Sequence, residues 1–289
     1  MPSTVSKSSV RSSAVAGSFY PESAKTLERD IDALLEQAVA PNSSGNVLGI
    51  VSPHAGYMYS GLTAAHAYKA VKGVAYDAVI IVGPSHHEYF QGVSIYPGSG
   101  YRTPLGTVPI HDEFRSAIVR EEKRIFLSVA GHRAEHSVEV QIPFLQRTLG
   151  SFLFVPIVMG DQTIELCENL AEAISTAVFG HNVLLVASSD LSHYHPYDEA
   201  VSLDRRVIQM VEAYDPIRLM ERLDRHEMEA CGGGPIVAVM LAAQKLGANK
   251  GRVIQYCNSG DVTGKKDAVV GYLSAMFCRE LSDFPLRVN

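Results

Sequence analysis

The stretch Asn182–His195, NVLLVASSDLSHYH, decides how the chain is read. It opens as an uninterrupted apolar β run, Val183 to Ala187, and ends in groups that bind metals or move protons: Asp190, His193 and His195. Two earlier stretches have the same construction. Leu48-Gly-Ile-Val51 runs into Ser-Pro-His54-Ala-Gly, and Ala78-Val-Ile-Ile-Val82 runs into Gly-Pro-Ser-His86-His87. Strands apolar on both faces belong to parallel sheets covered by helices, and ligands of open α/β sheets bind at the carboxyl ends of such strands. The three His-bearing ends are therefore expected to converge on one site.

Outward from these strands, helical and extended patterns alternate. Helices are expected over about 24–39, capped by Ser23, 62–71, 113–120, capped by Asp112, 137–149, with a break at Pro143, and 164–178. Three more follow at 197–214, 216–226 and 235–246, and strands at 152–158, 253–257 and 269–277. Val93–Tyr96 and Gly106–Ile110 read as short antiparallel strands covering the site. No long Pro/Gly/Ser linker separates two cores. The expected architecture is a disordered leader over 1–10 and a single α/β domain over 11–289, its central, largely parallel or mixed sheet flanked by helices.

The 289 residues are 46 % hydrophobic and 19 % charged, with a net charge of -6, values of a folded globular chain. An acidic chain without basic runs excludes a nucleic-acid surface, and no apolar run reaches the ~18 residues of a membrane span. The N-terminus is Ser-rich without an apolar signal core, so a cytoplasmic protein is expected. Cys167, Cys231, Cys257 and Cys278 form no CxxC pair, which leaves reduced, isolated thiols.

A lone His at a strand end is more often a hydrogen-bonded structural residue than a ligand; for His54 the company of the other ends shifts the balance. In His86-His87, adjacent side chains on extended backbone point opposite ways, so one at most should face the site. Cys231 precedes three glycines and a helix start, where backbone N–H groups favour a thiolate, and such a glycine run suits close backbone approach to a ligand. Asp190 reads equally as a turn cap or a site residue. His193 could be a ligand, a general base or a structural residue, and Glu135 with His136 a capping pair or part of the pocket. Tyr57, Tyr59, Tyr101 and Arg102 suit a pocket wall, although each is more often ordinary packing.

Taken together, SPHAGYMYSG (52–61), AHAYK (65–69), GPSHH (83–87), YRTPLG (101–106), EHSVEVQIPF (135–144), SSDLSH (188–193) and CGGGP (231–235) resemble the Memo family, called in prokaryotes AmmeMemoRadiSam system protein B. The motifs occur in the family's order over about residues 11–278. The resemblance implies a fold similar to the class III extradiol ring-cleaving dioxygenases and a non-haem iron site. It implies that His54, His86 and Cys231 hold the metal, that Asp190 and His193 line the same pocket, and that His193 stands where those dioxygenases keep an acid/base histidine. A thiolate where the dioxygenases have a carboxylate makes copper and zinc competitors of Fe(II). Each ligating imidazole needs an acceptor for its second N–H, for which Asp190 and Glu135 are candidates. The expected activity is a metal-dependent oxidoreductase acting on a small-molecule or peptide substrate. The alternatives are an adaptor that binds a ligand without chemistry and a zinc hydrolase or lyase. The family's prokaryotic name further implies an association with radical SAM and AMMECR-type proteins.

Overall fold

The computed structural model describes residues 9–41 and 45–280. In chain order the elements are β1 (Val10–Arg11), α1 (Ala24–Gln37), β2 (Asn46–Ser52), α2 (Tyr57–Lys69), β3 (Ala78–Pro84), β4 (Val93–Ile95), β5 (Gly100–Thr103), β6 (Gly106–Pro109), α3 (Asp112–Ile118) and β7 (Ile125–Leu127). They continue with α4 (Ile142–Leu149), β8 (Phe154–Met159), α5 (Ile164–Ala177), β9 (Val183–Ser188), β10 (Asp190–His195), α6 (Tyr197–Ala213), α7 (Pro216–Asp224), α8 (Gly233–Lys245), β11 (Lys250–Asn258), α9 (Ser259–Thr263) and β12 (Val269–Arg279). Most of the expected leader lies outside the described residues, but its last residue, Val10, begins a strand.

The three strands of the opening motif are neighbours. β2, β9, β3 and β8 run parallel in that order, and the register aligns Val51 with Ala187 and Ala187 with Val82. Their ends are level, so His54, Asp190 and His86, each a few residues further on, emerge along one rim. β12 runs antiparallel and joins the pieces: it pairs with β11 on one edge and with β2 and β10 on the other. β4 adds antiparallel to β8 and carries β7.

Alternation along the strands feeds two apolar layers. Ile80, Val82, Leu185 and Ala187 face the side covered by α3, α5, α6, α7 and α8, and Val79, Ile81, Leu184 and Val186 face α1, α2 and α4. Burial on both faces is what the uninterrupted Val/Ile/Leu runs encode. The molecule is thus a single α/β domain with a mixed sheet between two helical layers.

Local departures from expectation have local causes. Pro143 does not break a helix: a 3-10 turn, Glu139–Gln141, leads into α4, and Pro143 sits in its first turn, where a missing N–H costs nothing. α2 starts at Tyr57, earlier than expected. His111, not Asp112, caps α3, its Nδ1 accepting from Phe114 N at 3.2 Å, and the Ser23 side chain makes no capping bond to α1. The strands at 93–110 do not cover the site. β4 extends the far side of the main sheet, and the β5–β6 hairpin pairs with β1 in a separate three-stranded sheet.

Candidate metal centre

His54 is fully buried just past the end of β2, and hydrogen bonds dictate its tautomer. The Ser188 hydroxyl donates to Ser137 O at 2.6 Å, so toward His54 Nδ1, 2.9 Å away, its oxygen can only accept. His54 therefore carries its proton on Nδ1 and presents a bare Nε2. Gln141 Nε2 also donates to the Ser188 oxygen, at 2.8 Å, which holds that hydroxyl in place.

His86 is set the same way by a different partner. Its Nδ1 donates to Glu135 Oε1 at 2.9 Å and its backbone N to Oε2 at 2.6 Å, so Nε2 is the nitrogen turned away from Glu135. Oε1 also accepts from His136 N at 2.9 Å and Ser137 N at 2.8 Å. Burial pushes the Glu135 carboxyl up, but the bonds from His86 and Ser137 overcome it and hold it well below the usual range. Of the two acceptors expected, Glu135 thus serves His86, while His54 uses Ser188.

Ligand atoms of His54, His86 and His136 lie within 4.8 Å of one another, and the His86 and His136 rings stack at 4.6 Å. Burial lowers His54 well below its ordinary value, helped by His86 and His136, and lowers His136 to about 4. Neutral imidazoles are the ligating form. His136, assigned to the pocket in the sequence reading, is therefore a ligand candidate in its own right. The extended-backbone argument for His86-His87 does not apply, because β3 ends at Pro84. His87 also approaches His136, at 5.9 Å between rings, and forms a second group with Glu135 and His136. The Glu135 oxygens in that group are already engaged by four donors.

Cys231 Sγ lies 3.1 Å from His54 Nε2, but Cys231 is not a member of either three-residue group among the described residues. α8 begins only at Gly233. Burial raises the thiol, Asp190 raises it further, and the bonds from the backbone of Asp190 and Gly232 do not offset them, contrary to the lowered value expected at a helix start. The three glycines also have a protein partner each. A Cβ on Gly232 would meet Ser188 O at 2.3 Å, one on Gly233 would meet Leu223 Cδ1 at 2.6 Å, and one on Gly234 would meet Gln162 Cβ at 2.8 Å. They let α8 close against β9, α7 and the 160–163 loop, and Gly233 and Gly234 also line a cavity with Cys231.

Asp190 Oδ1 accepts from His54 N at 2.8 Å, and burial raises its carboxyl to about 7. His193 donates Nδ1–H to Leu191 O at 2.8 Å, leaving Nε2 bare, and burial lowers its pKa. β10, which carries both, was not foreseen as a strand. It pairs with β12 irregularly, with register shifts on either side of His193, and Tyr194 adopts φ 63°. This irregularity separates the two histidines: His193 lines a cavity with Cys231, whereas His195 bonds Glu229 at 3.0 Å.

The four residues expected at a pocket wall lie in different surroundings. Tyr101 is buried, its hydroxyl 2.6 Å from His132 Nδ1 and its ring under the Arg11 guanidinium. Arg102 is exposed on the small sheet, and the Tyr57 hydroxyl donates to Val140 O at 2.6 Å. Tyr101 lies in the core, Tyr57 is half-buried and packs against it, and Tyr59 is exposed. A cavity of about 650 Å³ between α4 and the β5–β6 hairpin contains no imidazole or thiol; one of about 480 Å³ includes His193 and Cys231.

Comparison with known proteins gives the family of this chain. Residues 11–276 match the family model described as Memo-like protein. The chain belongs to the Memo family. MEMO1 family proteins of Methanopyrus kandleri and Sulfolobus acidocaldarius are 37 % and 40 % identical to this Memo-family chain, each over 93 % of it and 99 % of the relative. The crystal structure of an uncharacterized Escherichia coli K12 protein superposes with a TM-score of 0.53 at 15 % identity, covering 80 % of this chain and 99 % of that one, a likeness of fold alone. No helix of the described residues is long and apolar enough to cross a membrane.

Proposed function

We propose that this Memo-family chain is a metal-dependent oxidoreductase that holds Fe(II) between His54, His86 and a third donor, Cys231 or His136. The observation that supports it is the pair of Nε2 atoms turned toward one another's surroundings, each ring oriented by the hydrogen bond that its Nδ1 donates, to Ser188 in His54 and to Glu135 in His86. Metal-ligating histidines are oriented in this way. The donor set fits a metal: imidazoles in reach of one another, a carboxylate behind one of them, and a sulfur within contact of the other. Fe(II), when bound, supplies open coordination positions and a redox couple.

The chain's own groups supply the rest. His193, neutral and with Nε2 bare, takes a proton from a bound substrate; the Leu191 carbonyl keeps the ring from turning. Asp190 fixes the His54 backbone and, with its carboxyl raised to about 7, is the second group able to hold a proton near neutrality. The test is elemental analysis of anaerobically purified protein, followed by O₂ uptake with a panel of phenolic substrates. Stoichiometric iron with substrate-dependent uptake supports the reading, and metal-free protein that still binds ligand would sink it. A second reading, Zn(II) hydrolase or lyase chemistry, is favoured by the third imidazole, which with Cys231 suits a four-coordinate site. It would show zinc and no dependence on O₂.

A further inference from the structure

The cavity that reaches Cys231 and His193 extends away from the three imidazoles of the metal site, none of which lines it. About 480 Å³ in volume, it lies between α7, α8 and β10, within the ~300–1,000 Å³ of small-molecule pockets. Leu191, Met220, Leu223 and Met228 give it an apolar lining, and the two methionines are adaptable to irregular ligands. Its carboxylates are Asp224 and Glu229, and no Lys or Arg lines it. Its two imidazoles are His193, whose pKa burial lowers, and the exposed His226. Glu229 meets His195 at 3.0 Å on the outer side.

We infer that this cavity binds the small-molecule ligand of the metal site, and that the ligand has an apolar body carrying a cationic head group, with anionic analogues rejected. The inference rests on the function proposed above and adds the class of ligand. The apolar lining takes the body, the carboxylates of Asp224 and Glu229 take the head group, and an anion there meets two carboxylates with no Lys or Arg to offset them; His195, on Glu229, lies outside the lining. His193 Nε2 and Cys231 lie at the same cavity, so a ligand seated this way touches the groups that would act on it.

The test compares two probes with one ring and opposite charge, tyramine and 4-hydroxyphenylacetate, titrated by calorimetry against the full-length protein, with metal content measured on the same samples. Tyramine is expected to bind tighter by roughly fivefold to tenfold at low salt, the size of two partly exposed charge interactions. The preference should shrink in 0.5 M salt, where the screening length falls to about 4 Å. Glu229→Gln should reduce it, and Asp224→Lys, at an exposed position that folding tolerates, should reverse it. Equal affinities, a preference for the acid, or a preference unmoved by Asp224→Lys would overturn the inference. Metal content separates the two readings: iron-loaded protein with no charge preference defeats this inference alone, and metal-free protein with the preference intact defeats the metal reading alone.

Discussion

Ser188 and Glu135 touch no substrate in this arrangement, yet they decide which nitrogen His54 and His86 present. Ser188→Ala and Glu135→Gln should each weaken metal binding by about 10–100-fold while leaving all ligands in place. Chelator competition measures this, and unchanged affinity would remove the tautomer argument. Cys231→Ala and His136→Ala divide the remaining donors: the variant that loses stoichiometric metal has lost the third ligand. His193→Ala should keep its metal and lose ~10²–10⁴-fold in turnover, the usual contribution of a positioned proton carrier; wild-type turnover would refute its role. At this scale the sequence was informative where chemistry follows a strand, as at His54, His86 and Asp190. It was uninformative where partners cross the fold. Nothing local to Tyr101 says that its hydroxyl belongs to His132, and nothing local to His136 says that the His86 ring stacks on it.

Elements set the distances between these groups. α8 closes on the sheet only because Gly232 has no side chain to drive into the Ser188 carbonyl. Gly232→Ala should therefore destabilise by about 1–3 kcal/mol, read from the urea midpoint, and lower metal content as Cys231 is displaced. Gly234→Ala should cost less, because it meets the stem of Gln162 rather than backbone. β1 works from the other side. Arg11 donates to the carbonyls of His132 and Glu135 and pairs with Glu139, whose carboxylate also accepts from Ala14 N, Val15 N and the Tyr20 hydroxyl. Both side chains are almost fully buried, so Arg11→Ala, which strands Glu139, should cost about 3–5 kcal/mol, and Arg11→Met with Glu139→Gln should cost less. The apolar strands β2, β3 and β9 were legible because burial on both faces leaves no polar position in the run. β10 was not, because DLSHYH has a strand's backbone and a site's side chains.

Across the whole molecule, acid should be the weak point of the metal-free protein. Burial depresses His54 well below its ordinary value, His136 to about 4 and His132 to about 3, from an unfolded value near 6.5. Groups depressed in this way lend stability that is present above pH 6.5 and is lost as pH falls toward the folded values, because the unfolded chain then binds more protons. Asp190, raised to about 7, works in the opposite sense: its contribution is present at low pH and is lost as pH rises through 7. Burial also lowers His193 and raises Asp204, so four imidazoles stand against two aspartates, and the melting temperature should fall between pH 6.5 and 4. His132→Gln should flatten that fall by up to one proton, about 1.4 kcal/mol per pH unit, and an unchanged slope would mean that His132 titrates normally. The order of strands carries one more consequence. β2 is flanked by β9 and β12, both of which lie far later in the chain. The strand that leads to His54 cannot pair along either edge with its neighbours in sequence: one edge waits for residues 185–188 and the other for residues 275–279. Contacts of such sequence separation carry a large loop-closure cost, so this sheet should form slowly and leave an apolar strand exposed while it does.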